Sequence, residues 1–270
     1  MLSIRTKRDR PARPTGRGGA SKSRARVGWT AVALLGVLAV AAAAAFVLVG
    51  SGDGPSGPRE LTSDEASRLA LARFRNYDAG GRAVTITVPG TAGGLVVTGS
   101  VDYRTKTGYG VLHGTGRNAS SDGLIQWTAA TVLVHPMSDA PAAAPATPPA
   151  SGWSGRPLQA SGNALDAALA IALGLGSDRP ENAMLLSQNG ARWIEHAELR
   201  GHRTDVMTGP DAQGRAGTSD TVRYWIDPDG TMFRVQAAVA SEPKPVVIDF
   251  DTQDYLPVQP LPALAPAQPK

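Results

Sequence analysis

The stretch "NALDAALAIALGLG", residues 163–176, limits what this chain can fold into more than any other. Its period is helical, and Asp166 is its only charge. Asn163 can cap it with Asp166 at the third position, and Gly174 and Gly176 end it. At about 13 residues it is too short to cross a bilayer. A helix that is apolar on nearly every side must be covered on nearly every side. The rest of the chain therefore has to supply walls around it.

Those walls can be read on both sides. Short β-branched and aromatic runs occupy 82–88, 94–104, 107–114, 122–128 and 131–136 before the helix. Five more follow at 191–199, 203–209, 221–228, 231–240 and 245–251. A helix over 63–77 precedes the first block. Thr62 and Glu65 form a capping box, and Leu61 and Ala66 fit a hydrophobic staple. Its apolar face is Ala66, Leu69, Ala70, Phe74 and Tyr77. "SDRPENAMLLSQ" predicts a further helix, with Asp178 as cap, Pro180 in the first turn and Glu181 at the third position. "MSDAPAAAPATPPASG" (137–152) reads as an exposed insertion loop. Helix, five strands, two helices and five strands predict an α+β fold. We expect one large, strongly curved antiparallel sheet, an open half-barrel wrapped over helices, because a sheet of that size must curl.

The N-terminal part sets an expected location. "WTAVALLGVLAVAAAAAFVLV" (29–49) has no charge and is long enough to span a bilayer. Residues 1–26 hold nine basic side chains and one acid, so they carry +8 of a chain net of +4 and leave −4 for the rest. The basic charge thus belongs to a tail that can touch anionic headgroups, and not to a nucleic-acid-binding domain. The expected organisation is a disordered basic cytoplasmic tail (1–28), a transmembrane helix (29–49), a linker (50–60), an extracytoplasmic domain (61–252) and a Pro-rich C-terminal tail (253–270). By the positive-inside rule this is a single-pass cell-membrane protein, with residues 51–270 outside. The rival reading is a signal peptide cleaved near Ala41–Ala45. The chain has no cysteine, which excludes disulfides, thiolate metal sites and a lipidated N-terminal cysteine.

A search for chemistry predicts no catalytic, cofactor or metal residues. His113, His135, His196 and His202 show no ligand spacing, and no nucleophile motif or phosphate loop occurs. "RYWIDPDGTMFRVQ" (223–236) begins like a calcium loop at Asp227, Asp229 and Gly230. The match then fails: Thr231 stands at position 5, Met232 replaces the glycine at 6, and Ala238 replaces the glutamate at 12. Pro228 and Gly230 suit a tight turn, with Tyr224, Ile226, Phe233 and Val235 in the flanking strands. We therefore expect a β-hairpin and a non-enzymatic protein.

Over roughly residues 60–252 the chain resembles the LolA/LppX-type lipoprotein-carrier superfamily of bacterial envelopes. The resemblance rests on "DEASRLALARFR", "LVVTGSVDYRTKTGYGVL", the apolar central helices and "RYWIDPDGTMFRV". It implies a curved open sheet over helices, with an apolar cavity for lipid or another apolar ligand. Val97, Leu112, Leu165, Leu169 and Leu173 would line that cavity. Several relatives carry a lipidated cysteine; this chain has an apolar span in its place, which puts free shuttling in doubt. The alternative is a sensor or partner-binding ectodomain, for example in envelope regulation, with a membrane protein as partner.

Overall fold

The computed structural model describes residues 57–211, 221–239 and 242–261. The basic tail and the span read at 29–49 lie outside the described residues. Among the described residues no helix is long and apolar enough to cross a membrane.

Among the described residues twelve strands form one antiparallel sheet. In chain order they are β1 (Arg59–Glu60), β2 (Gly81–Val88), β3 (Leu95–Asp102), β4 (Thr107–Gly114), β5 (Gly123–Trp127), β6 (Thr131–Pro136), β7 (Ser154–Pro157), β8 (Arg192–Leu199), β9 (His202–Thr208), β10 (Val222–Ile226), β11 (Met232–Ala237) and β12 (Val246–Phe250). The helices are α1 (Ser63–Asp78), α2 (Ala164–Gly174) and α3 (Ala183–Gln188). All ten expected strands form. The short edge strands β1 and β7 are additions that sequence periodicity did not show.

The spatial order is β1-β8-β9-β10-β11-β12-β2-β3-β4-β5-β6-β7. Two meanders, β2 to β7 and β8 to β12, meet where β12 pairs with β2. The edges β1 and β7 do not pair, so the sheet is open. This order dictates where the helices lie. Strand β1 is at one edge and β2 is central, so α1 must cross half the sheet. Strand β7 is at the far edge and β8 lies beside β1, so the connection carrying α2 and α3 must cross all of it. Accordingly α1 packs on β2, β10 and β11, α2 packs on β2, β3 and β12, and α3 packs on α1.

The face beneath the helices is a continuous apolar row. Trp193, Met207, Tyr224, Val235, Ile248, Ile86, Val97 and Leu112 lie side by side across eight strands. Side chains alternate along each strand, so this register turns every second residue inward. The row ends at Leu112 of β4; further along the same core, Trp127 of β5 is fully buried and its Nε1 donates to the Leu169 carbonyl at 3.2 Å. Gly108 lies opposite Trp127. A Cβ there would stand 2.2 Å from the indole, so only glycine leaves room for the ring.

The caps explain where the helices start. Thr62 Oγ1 accepts from the Glu65 N–H at 3.3 Å, and Glu65 Oε2 accepts from the Thr62 N–H at 2.8 Å. Asn163 Oδ1 accepts from the Asp166 N–H at 2.9 Å. Asp166, the one charge in α2, is fully buried. Both its oxygens accept from Arg156 of β7 at 2.6 Å, and the Gln159 N–H donates at 2.8 Å. That pair fastens an edge strand to the buried helix. The third helix corrects the expectation: Asn182, not Asp178, is its cap, accepting from Met184 and Leu185 N–H. Asn182 Oδ1 reaches two orphan donors, whereas the Asp178 carboxylate takes an exposed bond from Arg179.

The Glu65 cap carries a pH dependence. Two Arg59 hydrogen bonds of 2.7 Å hold its carboxyl at about 2 against an ordinary 4.5, with burial opposing and the Thr62 N–H assisting. The folded value is depressed, so this stability is complete above pH 4.5 and is lost as pH falls through about 2. Glu65→Gln is expected to lower stability near neutrality by on the order of 2 kcal/mol, and by much less at pH 2. Urea unfolding across that range measures the difference.

The 223–236 segment is a hairpin. Strands β10 and β11 pair with a bulge at Trp225/Ile226. The Asp227 carboxylate accepts from the Asp229 and Thr231 N–H groups at 3.0 and 2.8 Å, and Gly230 takes φ 84°. The acid is turned onto its own backbone, as an Asx turn requires.

Candidate functional site

The residues expected to line a cavity do come together, in one packed core. Val97, Leu112, Leu169 and Leu173 are all buried there with Ala168 and Ala172 of α2. Leu165 is half-buried against that core. It also faces a cavity of about 170 Å³ at the rim, with Val88, Leu95 and Asn163.

An apolar groove built by strands and loops lies on the opposite face. Outward positions of β3, β4 and β5 pair as Thr98–Val111–Leu124 and Ser100–Tyr109–Gln126. Strand alternation alone would send these to solvent. Two segments cover them instead. Loop 137–152 contributes Met137, Ala140 and Ala144, and the C-terminal segment contributes Val258, to a small cluster around Tyr109, Val111 and Leu124.

The C-terminal segment is a strap fastened by side chains. Gln253 Nε2 donates to the carbonyls of Val84 and Gly99 at 3.0 and 2.8 Å. Ser100 Oγ accepts from the Leu256 N–H at 3.0 Å. Gln126 is fully buried and uses both ends of its amide: Nε2 donates to the Gln259 carbonyl, and Oε1 accepts from the Leu261 N–H, each at 2.8 Å. The Pro-rich tail therefore begins as a docked element.

Between loop and strap lies a groove of about 320 Å³. Thr98, Ser100 and Tyr109 form its floor, loop residues 143–146 one wall, and Leu256 and Pro257 the other. Asp254 is the only charged residue lining it. Tyr109 is 6% exposed, and its hydroxyl has no hydrogen-bond partner among the described residues. Burial pushes that hydroxyl up to about 12, so it remains a protonated donor throughout the physiological range. Ligand pockets commonly measure about 300–1,000 Å³, mostly apolar with a few placed polar groups.

A second opening, of about 580 Å³, is polar. At its base Asp205 accepts from Arg68 at 2.7 Å and from Trp193 Nε1 at 3.0 Å, and lies 2.6 Å from His196 Nδ1. The sequence placed Glu195 beside His196; its partner is Asp205, directly opposite on β9. Nucleophilic catalysis from such a pair needs a hydroxyl or thiol within reach. Thr204 is the one hydroxyl lining the cleft, and it donates to the Ala197 carbonyl at 3.1 Å. Glu65, Glu198 and Asp205 outnumber Arg68 and Arg203 in the lining, so the cleft has no excess positive charge to draw an anion.

No family model matches this chain, and no curated protein matches it. Three solved structures are similar to it at low superposition. An uncharacterized conserved protein from Thermus thermophilus is 10% identical, with TM-score 0.35, over 70% of this chain and 87% of that one. A DUF1329 family protein from Desulfovibrio piger is 11% identical, with TM-score 0.30, over 69% and 90%. A domain described as an outer membrane lipoprotein-sorting protein domain, from Vibrio parahaemolyticus, is 8% identical, with TM-score 0.24, over 70% and 89%. Likeness at this level transfers neither a site nor a ligand.

Proposed function

We propose that this is a non-catalytic, extracytoplasmic binding protein for a small apolar ligand, held to a membrane by residues 29–49. The ligand sits in the groove on the outer face of β3–β5. The observation that carries this reading is the groove itself: an apolar slot on a rigid sheet, closed by a loop and a strap, with a buried unpaired hydroxyl in its floor. The resemblance to lipid carriers agrees in ligand class and differs in place, since it implies the other face.

The test is photolabelling. The full chain is placed in lipid nanodiscs and exposed to decanol carrying a diazirine on its chain. Competable labelling of peptides spanning 137–152 and 253–261 is expected. Labelling confined to 29–49, or to α2 and the rim at Leu165, would sink the proposal.

A second reading, a partner-binding ectodomain, is favoured by Met184 and Leu185. These neighbours on α3 are 69% and 51% exposed. Cross-linking from position 184 that captures one stoichiometric membrane protein would support it.

A further inference from the structure

Among the described residues, one buried polar atom of the groove lining has no hydrogen-bond partner, and it narrows the ligand. Ser100 Oγ is already bonded to the strap, and both polar ends of Gln126 are taken. Of the floor residues Thr98, Ser100 and Tyr109, Tyr109 alone has a buried side-chain polar atom without a partner among the described residues. Leaving a buried donor unmade costs more than a solvated hydrogen bond gains. An incoming acceptor therefore gains more here than at a solvated surface. The hydroxyl is buried and its residue lines the groove between loop and strap, so entry of a chain there is what would bring an acceptor to it.

Charge sets the second limit. Asp254 lines the groove with no cation beside it in the lining. A carboxylate or phosphate head would meet a like charge at the mouth. Volume sets the third: about 320 Å³ is at the small end for ligand pockets, enough for one modest chain and too little for a two-chain lipid.

Resting on the binding reading above, we infer that the ligand is a single apolar chain ending in a neutral acceptor, a hydroxyl or an amide or ester carbonyl, which takes a hydrogen bond from Tyr109. The neighbours fit that division of labour. Ala143, Ala144, Pro145 and Pro257 offer apolar walls, and the tyrosine offers one directed donor.

The experiment uses the full chain in nanodiscs and the same diazirine probe, with unlabelled decanol and decanoate as competitors. Decanol should compete about tenfold more strongly than decanoate. Tyr109→Phe should weaken decanol about tenfold, the equivalent of one hydrogen bond. It should leave labelling by a diazirine alkane without a head unchanged, which shows the groove intact. Asp254→Asn should bring decanoate close to decanol. Equal competition by decanol in the wild type and Tyr109→Phe, or equal potency of decanol and decanoate in the wild type, overturns the head-group inference and leaves the binding proposal standing. Loss of competable groove labelling by every probe overturns the binding proposal itself.

Discussion

Trp127→Ala is expected to lower the unfolding free energy by about 4 kcal/mol, near the upper end for a buried aromatic. The indole is fully buried in the core beneath the helices. Its floor is the backbone of Gly108, and its Nε1 bonds the Leu169 carbonyl of α2. A paired strand cannot sink to fill the hole, because its ladder bonds to β3 and β5 hold it in place. A companion substitution tests the same contact from the other side. Gly108→Ala adds a methyl 2.2 Å from the ring and removes nothing, yet it should cost about 1–3 kcal/mol. The double variant should be more stable than the two losses added together, because the new methyl enters the space the indole vacates. Urea unfolding of all three variants measures this; strictly additive losses would mean the two residues do not share that space.

The second large effect is expected at Arg82, which is 9% exposed. Its guanidinium donates to Asn76 Oδ1 of α1 at 2.7 Å, to the Met232 carbonyl of β11 at 3.1 Å, and to the Asp251 carboxylate beyond β12. It also stacks 5.1 Å from the Phe250 ring centroid. One side chain thus ties α1 to the seam where the two meanders join. Arg82→Met should cost about 3 kcal/mol, because the fully buried Asn76 loses the partner of its carbonyl. The loss should not reach the top of the range for broken buried pairs, about 5 kcal/mol, because Asp251 is half-exposed and regains water. Asp251→Asn should therefore cost much less than Arg82→Met. Equal losses in thermal or urea unfolding would show that the ion pair, and not the bonds to Asn76 and Met232, supplies the stability.

The fold was legible in the sequence wherever one local rule was enough. Alternation marked ten strands, the Thr62–Glu65 spacing marked α1, and an apolar run with one acid marked α2. The turn chemistry of Asp227–Gly230 marked the hairpin. What stayed hidden depends on partners far apart in the chain. Strand β7 reads "SGRP", all four residues exposed, and it exists because it pairs with β6 and because Arg156 reaches Asp166. Asn182 outcompeted Asp178 as a cap through backbone geometry that spacing does not encode.

The candidate site was the least legible part. Tyr109, Ser100 and Gln126 sit at alternate positions to the core residues and so read as solvent-facing. Only the return of residues 253–261 across them, more than a hundred positions later, makes that face a groove. Conversely, Val97, Leu112, Leu169 and Leu173 read equally well as cavity lining or solid core, since both demand apolar inward residues. They are members of one buried cluster.

The most direct measurement of the central claim is photolabelling of Thr98→Trp beside the wild type, with the full chain in nanodiscs. Thr98 sits on β3 with its side chain in the groove floor, so an indole there fills the slot from a fixed strand. Competable labelling of the 137–152 and 253–261 peptides is expected to disappear while the unfolding midpoint is retained. Undiminished labelling of those peptides in Thr98→Trp would contradict binding in the groove.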